Sequence, residues 1–406
     1  MPVRFTFVSN YINHHQIPFC EAMCRNTDID FVFLETEHME RERLDMGWED
    51  VSSRLPYVRR LYDDEEAGIS LVMDSDMVMM GWTERSDLAK MRLESGKPMV
   101  RVSERIYKEG QWKAISPRGL MSKYNEHTKW HNAPCWMLCA GAYVASDFAL
   151  IHAYTGKMFK WGYFPELRSY TEDKMAELKA GSPVRLLYAG RFVPGYKHPE
   201  FAVALAKHLK SEGVPFRLDI IGSGEMKDEI EREIHDGGLE KEVVMHGFLP
   251  PEEVRSFMER AHVFLFPSNH LEGWGAVLNE AMNSGCAVVA GSEAGATPFL
   301  IKHGQNGLVF DGENEKDFIE KSEMLVKDRN LASKLGQSAQ NTVNSLWNAD
   351  RAADEIIRFT RYVLMDPKMA KTDGDGVNWV PPAEGPMSVA KVIKPYIKVT
   401  DRGNSL

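Results

Sequence analysis

VFLFPSNHLEGWGAVLNEAMNSGCAVVAG, residues 263–291, decides the fold. The apolar run His262–Phe266 reads as a buried strand, Gly275–Met282 as a helix and Ala287–Ala290 as a second strand. Two buried strands joined through a helix form a βαβ unit of a parallel sheet. Working outward, the same rhythm continues on both sides. Val184–Ala189, Arg217–Ile221, Val243–Met245 and Gly307–Phe310 read as further strands. Between them Glu200–Leu209, Met226–Ile234 and Glu252–Arg260 read as helices. The expected fold class is α/β, with a doubly wound domain whose loops at the strand carboxyl ends bind ligands.

The rhythm is looser toward the amino end. Val3–Ser9 and Ile29–Glu35 read as strands around a helix at His14–Arg25, with further strands expected at Met77–Met80, Pro98–Val102 and Ala142–Ala145. Asp87–Glu94 is of helix length. The charged segment Thr36–Arg60 fits no element, and Lys157–Pro183 reads as a connection with a short helix near Glu172–Lys179. Three helices follow the second domain, at Glu315–Val326, Leu331–Val343 and Arg351–Leu364, and a last helical piece is expected at Val389–Ile397.

Composition narrows the function. The chain has 406 residues, 43% hydrophobic and 27% charged, enough for two or three globular domains. Its formal charge of −10 argues against a nucleic-acid backbone as partner. Five cysteines form no secreted disulfide framework. The pairs Cys20/Cys24 and Cys135/Cys139 read as small buried side chains rather than zinc ligands, because no matching histidines accompany them. The opening residues do not read as a signal peptide, and no uncharged run reaches the ~20 residues of a spanning helix. A cytoplasmic protein is expected.

Three loops carry the chemistry. Gly190-Arg-Phe-Val-Pro-Gly-Tyr-Lys197 sets Arg191 and Lys197 six apart on a strand-to-helix turn, suited to a diphosphate. Gly222 and Gly224 permit a tight turn after the next strand, but Lys227 breaks the third glycine of a dehydrogenase G-x-G-x-x-G. In the third loop Glu272 precedes a glycine-flanked helix start whose N–H groups face an anion, and Glu280 lies two turns further on. A carboxylate there accepts both hydroxyls of a ribose. The plain alternative is an ordinary helix with solvated glutamates.

The strings YAGRFVPGYK, DIIGSGEM, VVMHGFLPPEEV, VFLFPSNHLEGWGAVLNEAMNSGCAVVAG and HGQNGLVF, in this order, closely resemble the nucleotide-binding domain of retaining GT-B glycosyltransferases of the family 4 type. The resemblance implies a GT-B fold of two Rossmann-like domains facing across a cleft: residues 1–165 for the acceptor and 166–350 for a nucleotide-sugar donor. A crossover helix at 351–365 and a tail at 366–406 would return to the first domain. It implies that Arg191 and Lys197 hold the donor diphosphate, Glu272 faces the sugar and Glu280 binds the ribose. The amides of Gly273, Trp274, Gly275, Ala276 and Val277 would lie near sugar and phosphates. Gly190, Gly222, Gly224 and Phe248 would line the nucleotide site. Trp274 stands where many relatives have Phe.

The acceptor side matches less. His14 and His15, in the loop after the first strand, and Glu104, where some relatives place a histidine, are its candidates; capping or plain surface is the alternative for the histidine pair. Asp74-Ser-Asp76 mimics a D-x-D metal motif but reads as a helix end. Transfer without metal or other cofactor is expected, from a UDP-sugar ahead of a GDP-sugar, to a glycan, lipid-linked or small-molecule acceptor. Peripheral contact with the inner membrane face stays open, with Lys391, Lys394 and Lys398 clustered near the tail. The alternatives are another GT-B reaction, such as a nucleotide-sugar epimerase, or a non-catalytic nucleotide-sugar binding protein.

Overall fold

The computed structural model describes residues 2–45, 48–365 and 379–393. They fall into two compact units, one of residues up to Glu166 with those from Trp347 onward, the other Leu167–Leu346.

The first unit holds seven strands: β1 Val3–Ser9, β2 Ile29–Glu35, β3 Val58–Arg60, β4 Met77–Met80, β5 Met99–Ser103, β6 Cys135–Ala140 and β7 Met158–Trp161. All pair in parallel, in the order β3-β2-β1-β4-β5-β6-β7. The second unit holds six: β8 Val184–Ala189, β9 Phe216–Ile221, β10 Val243–Gly247, β11 Val263–Phe266, β12 Ala287–Gly291 and β13 Leu308–Phe310. They too are parallel, in the order β10-β9-β8-β11-β12-β13. Helices on both faces explain the composition of the central strands. All four residues of β4 and of β11 are buried, as a strand covered on both sides requires.

Each sheet reverses its winding once, between β1 and β4 in the first unit and between β8 and β11 in the second. Loops leaving the carboxyl ends of those strands flank the crevice where doubly wound sheets bind ligands. In the second unit the wall behind β8 is the helix Pro199–Ser211, which buries Ala202, Leu205, Ala206 and Leu209. Each such leucine contributes about 1.5–3 kcal/mol by leaving water, and this packing makes the loop between strand and helix a fixed platform.

Several expectations need correction. Ala142–Ala145 is not a strand. The strand is Cys135–Ala140, and after Gly141 at φ +131° the chain enters the helix Val144–Leu150. A short apolar run has no periodicity to tell strand from buried helix. The stretch read as a connection opens with β7, and the charged segment that fitted no element ends in β3, an edge strand of three residues. The helix expected at Val389–Ile397 is absent over 389–393, where Val389 bridges Phe159 in antiparallel fashion; 394–397 lie outside the described residues. Lys160 N–H donates to Ser388 O at 2.7 Å, Met387 N–H to Lys160 O at 2.8 Å and Ala390 N–H to Met158 O at 3.0 Å. The segment therefore covers the open edge of β7. Trp379 packs edge-on against Phe159 and Phe359 at 5.3 and 4.8 Å, tying this tail and the helix Ala349–Leu364 to the first unit.

Of the cysteines, Cys20, Cys135, Cys139 and Cys286 are buried, Cys24 is exposed, and all are free thiols. Asp76 accepts from Arg4 N–H at 2.8 Å and Asp74 ends the helix Glu65–Asp74, so the D-x-D lookalike occupies a helix-to-strand junction.

Candidate active site

The loop Gly190–His198 leaves the end of β8, and its form is set by Tyr188. This buried hydroxyl lies 3.3 Å from both Arg191 O and Lys197 O, so one side chain anchors the two ends of the loop. Within the loop Lys197 Nζ forms an ion pair with Glu272 Oε2, and Tyr196 OH donates to Glu272 Oε1 at 3.3 Å. Lys197 and Glu272 are 15% and 10% exposed at the side chain. The pair sits where water screens it little, and removing either partner leaves the other largely buried and uncompensated. Arg191 is exposed, and among the described residues nothing pairs with its guanidinium. The two expected diphosphate cations thus stand in different states, one held and one free.

Asn269 organises the facing loop after β11. Its Nδ2 donates to Gly195 O at 2.9 Å and Glu313 Oε1 at 2.6 Å. Its backbone N–H donates to Tyr196 O at 3.1 Å and its carbonyl accepts from Glu272 N–H at 3.0 Å. Glu272 is delivered to Lys197 by this network. Just beyond, Gly275 has φ +96° and begins the helix Ala276–Asn283; a Cβ there would lie 2.4 Å from Phe266 Cζ, so both conformation and space require glycine. The first N–H groups of that helix have no partners within it and present partial positive charge beside the Lys197–Glu272 pair. Trp274 does not line the site with its ring. It is fully buried, and its indole N–H donates to Asn279 Oδ1 at 2.9 Å, which anchors the loop from below.

Glu280 lies half-buried on the same helix. Burial pushes its carboxyl above the ordinary range, opposed chiefly by the guanidinium of Arg255 and then by that of Arg168. Arg255 in turn donates to Asn283 Oδ1, and Arg168 pairs with Glu252 and Glu259.

The glycines after β9 have a firm structural cause. Gly222 has φ +137°, and a Cβ there would stand 1.9 Å from Gly190 O. Gly222 N–H donates to Gly247 O at 2.8 Å and Gly190 N–H to Ile221 O at 3.0 Å, so the ends of β8, β9 and β10 interlock. Near the end of β10, His246 Nε2 is 2.7 Å from Asp219 Oδ1, and Phe248, just past the strand, is 53% exposed. His270, Glu293 and Glu313, from the loops after β11, β12 and β13, bring one ligand atom each within 4.8 Å of one another; this trio could hold a cation, although Glu313 is exposed and already receives Asn269.

The first unit assembles a different cluster. His14 and His15 lie in the loop after β1, with ring centres 3.9 Å apart. Trp48 meets His14 edge-on at 4.6 Å, and Tyr163 lies parallel to His15 at 6.3 Å. Tyr163 OH donates to Glu104 Oε1 at 2.6 Å, and Glu104 also pairs with Lys108. The three expected acceptor-side residues are thereby joined through two aromatic rings that the sequence reading did not single out. Burial holds His14 below the usual imidazole range. His15 is pushed well below it by burial and then by His14, so both are neutral at pH 7. The loop is held by Glu35, which accepts Ile12 N–H at 3.0 Å and Tyr62 OH at 2.7 Å.

Residues 169–342 match the model of glycosyl transferases group 1. The chain is 35% identical over 130 residues to the amylovoran biosynthesis glycosyltransferase of Erwinia amylovora, covering 31% of each. It is 29% identical over 150 residues to the GDP-mannose-dependent phosphatidylinositol monomannoside mannosyltransferase of Mycobacterium tuberculosis, covering 36% of this chain and 39% of that one. The matched segments thus span about a third of those curated relatives. Among solved structures, HepE of Anabaena in complex with UDP superimposes with a TM-score of 0.64 over 88% of this chain and 99% of that chain, at 13% identity. Sucrose-phosphate synthase of Thermosynechococcus elongatus does so at 0.64 over 89% and 99%, at 15% identity. Both likenesses are to two parallel-sheet Rossmann-like units, the GT-B fold class.

Proposed function

From a chain whose residues 169–342 belong to the glycosyl transferases group 1 family, we propose a retaining glycosyltransferase that moves a sugar from a nucleoside-diphosphate donor, a UDP-sugar ahead of a GDP-sugar, to a glycan, lipid-linked or small-molecule acceptor. One observation carries this reading. Lys197 and Glu272, from loops on the two sides of the β8/β11 reversal, meet beside the start of the helix Ala276–Asn283. Donor-side chemistry needs a cation for the leaving diphosphate, a carboxylate for sugar hydroxyls and N–H dipoles for developing charge, all at one strand end. The UDP preference is supported by the UDP complex of HepE; the mycobacterial relative's printed name carries GDP-mannose instead.

The C1–oxygen bond to the diphosphate breaks through an oxocarbenium-like state. Negative charge grows on the leaving phosphate, where Lys197, Arg191 and the helix N-terminus meet it. To reach the phosphate Lys197 gives up Glu272, and the freed carboxylate accepts the sugar's hydroxyls. Binding of the donor therefore exchanges the lysine's carboxylate partner for phosphate and leaves the Glu272 charge to be met by the sugar's hydroxyls. The departing phosphate oxygen takes the acceptor's proton as the acceptor oxygen bonds C1 on the same face. Glu280 receives the ribose diol. The His14–His15–Trp48–Tyr163–Glu104 cluster serves the acceptor, with neutral imidazoles and aromatic rings that suit a sugar face.

The test is turnover in excess chelator after metal removal. A panel of nucleotide-sugars is mixed with glycan and lipid-linked acceptors, and products are read by mass spectrometry. The expected result is free nucleoside diphosphate together with a new α- or β-glycoside that keeps the donor's configuration. An isomerised sugar without acceptor would establish an epimerase instead, and binding without turnover a nucleotide-sugar binding protein. Activity that returns only with Mn²⁺ or Mg²⁺ would overturn the metal-free step and direct attention to His270, Glu293 and Glu313.

A further inference from the structure

The first unit's sheet reverses between β1 and β4, and a doubly wound sheet takes its ligand between the loops leaving two such strands. The loop after β1 carries His14 and His15. The loop after β4 carries Trp82, two residues beyond the strand's end at Met80. A tryptophan ordinarily gives most of its surface to a core. Among the tryptophans whose burial is described, Trp82 alone is exposed, at 60%. Its indole has no hydrogen-bond, aromatic or cation partner among the described residues.

The backbone around this ring is held on both sides. Gly81 N–H donates to Val8 O at 2.7 Å. Trp82 O accepts Asn10 N–H at 2.7 Å and the Ser9 hydroxyl at 3.3 Å, which joins the β4 loop to the β1 loop. Thr83 Oγ1 lies 2.7 Å from Thr36 Oγ1, and Glu37 Oε1 accepts the Thr83 hydroxyl at 3.0 Å and Glu84 N–H at 2.8 Å. None of these bonds uses the indole. The fold fixes the main chain of residue 82 and leaves its ring exposed beside the crevice. A ring held in this way loses little freedom when a ligand stacks on it.

Charge decides which ligand suits the ring. Segments 10–16, 35–38 and 81–87 carry Glu35, Glu37, Glu84 and Asp87 against one arginine, Arg85, and no lysine. Arg85 is taken by Asp87 and Glu65, each at 2.8 Å. A phosphate or carboxylate finds no open cation there and meets like charge. The negative face of an indole attracts polarised C–H bonds, and one face of a pyranose is a set of such bonds. We propose that Trp82 is a sugar-stacking residue on the β4 side of the crevice, and that the ring it takes is an uncharged pyranose of the acceptor. The acceptor is thereby narrowed to a glycan, free or carried on a lipid. Its assignment to the acceptor rests on the transferase reading; the stacking itself does not.

The experiment is fluorine NMR of the full chain labelled with 5-fluorotryptophan, where the resonance missing from Trp82→Phe identifies Trp82. The probes are neutral oligosaccharides of glucose, galactose, mannose, rhamnose and N-acetylglucosamine, free and linked to a polyprenyl diphosphate, beside oligosaccharides of glucuronic acid. The expected result is a shift of the Trp82 resonance with at least one neutral probe and with no glucuronic acid probe. Binding of either the free or the linked form supports the proposal and identifies the carrier. Calorimetry with that probe should show Kd raised about tenfold in Trp82→Ala and held within about threefold in Trp82→Phe. Thermal unfolding and nucleoside-diphosphate affinity should match wild type in both variants, which separates a lost stacking surface from a lost fold. Four results would overturn the proposal: no shift with any neutral probe, equal shifts with glucuronic acid probes, equal affinity of wild type and Trp82→Ala, or a wild-type dimer that Trp82→Ala makes monomeric. A sugar bound at Trp82 without any transfer would overturn the transferase reading alone. Transfer whose acceptor KM is unchanged in Trp82→Ala would overturn this inference alone.

Discussion

The two units share one plan and use it differently. Each is a parallel sheet that reverses once, at β1/β4 or at β8/β11, and each places some of its candidate residues on loops leaving the strands of that reversal. In the second unit the loop after β8 and the loop after β11 supply a cation and a carboxylate that meet directly, with glycines clearing the way. In the first unit the loop after β1 supplies two neutral imidazoles, and the rest comes from Trp48, Glu104 and Tyr163, far apart in the chain. An anion is bound by local means, because backbone N–H groups and a nearby cation suffice. A sugar face needs a shaped surface, and only tertiary packing brings its pieces together.

That contrast yields expectations of decreasing size. Lys197→Ala should cost the most, about 10²–10³ in kcat by analogy with losing an oxyanion donor. Arg191→Ala should cost about as much in kcat while leaving stability untouched, since its guanidinium is exposed and unpaired among the described residues. Lys197→Ala should also lower the melting temperature, because it strands Glu272. Rates and thermal scans on the two variants check this; equal stability would mean that the Lys197–Glu272 pair holds no loop in place.

A second expectation concerns pH. Burial lowers the His127 pKa to about 4, against the imidazole's ordinary 6.5. The unfolded chain therefore takes up this proton first as pH falls, and the folded state loses stability between pH 6.5 and 4. The full loss is about 3 kcal/mol. Urea unfolding at several pH values should show it, and His127→Gln should flatten that slope. An unchanged slope would place the acid sensitivity elsewhere, with His15 as the next group.

Glu280→Gln should weaken nucleoside-diphosphate binding by about 1–3 kcal/mol whatever sugar the donor carries. Glu104→Gln and Trp48→Ala should raise the acceptor KM about tenfold and leave the nucleotide affinity as it was. Calorimetry with the diphosphate and KM measurements on both substrates decide the pair. Loss of nucleotide affinity in the Trp48 variant would break the division of labour between the units.

The same contrast explains what the residues disclosed before the fold was known. The second unit's strands are apolar runs bounded by glycines, and its candidate site lies within the loops that follow them, so local strings and the family resemblance they carry singled out Arg191, Lys197, Glu272 and Glu280. Spacing could not show that Lys197 is taken up by Glu272 or that Asn269 ties three segments together, because these are contacts between loops of different strands, nor that Tyr188 folds the loop after its own strand back onto its hydroxyl. The asparagine three residues before Glu272 in SNHLE was the one local signal available. In the first unit β3 and β7 are short strands with no alternation, and Trp48 lies in a charged stretch without period. Its link to His14 exists only in the folded chain. Gly222 shows a further limit. Its positive φ was legible as a glycine, but the reason for it is the carbonyl of Gly190.

The proposed transfer requires Lys197 and Glu272 to separate when the donor binds, the lysine to the diphosphate and the carboxylate to the sugar. Glu272→Gln tests it most directly, by calorimetry with the nucleoside diphosphate beside rates with the full nucleotide-sugar. The expected result is a diphosphate affinity equal to or tighter than wild type, since Lys197 is released, together with loss of sugar transfer. Weaker diphosphate binding with transfer intact would contradict it.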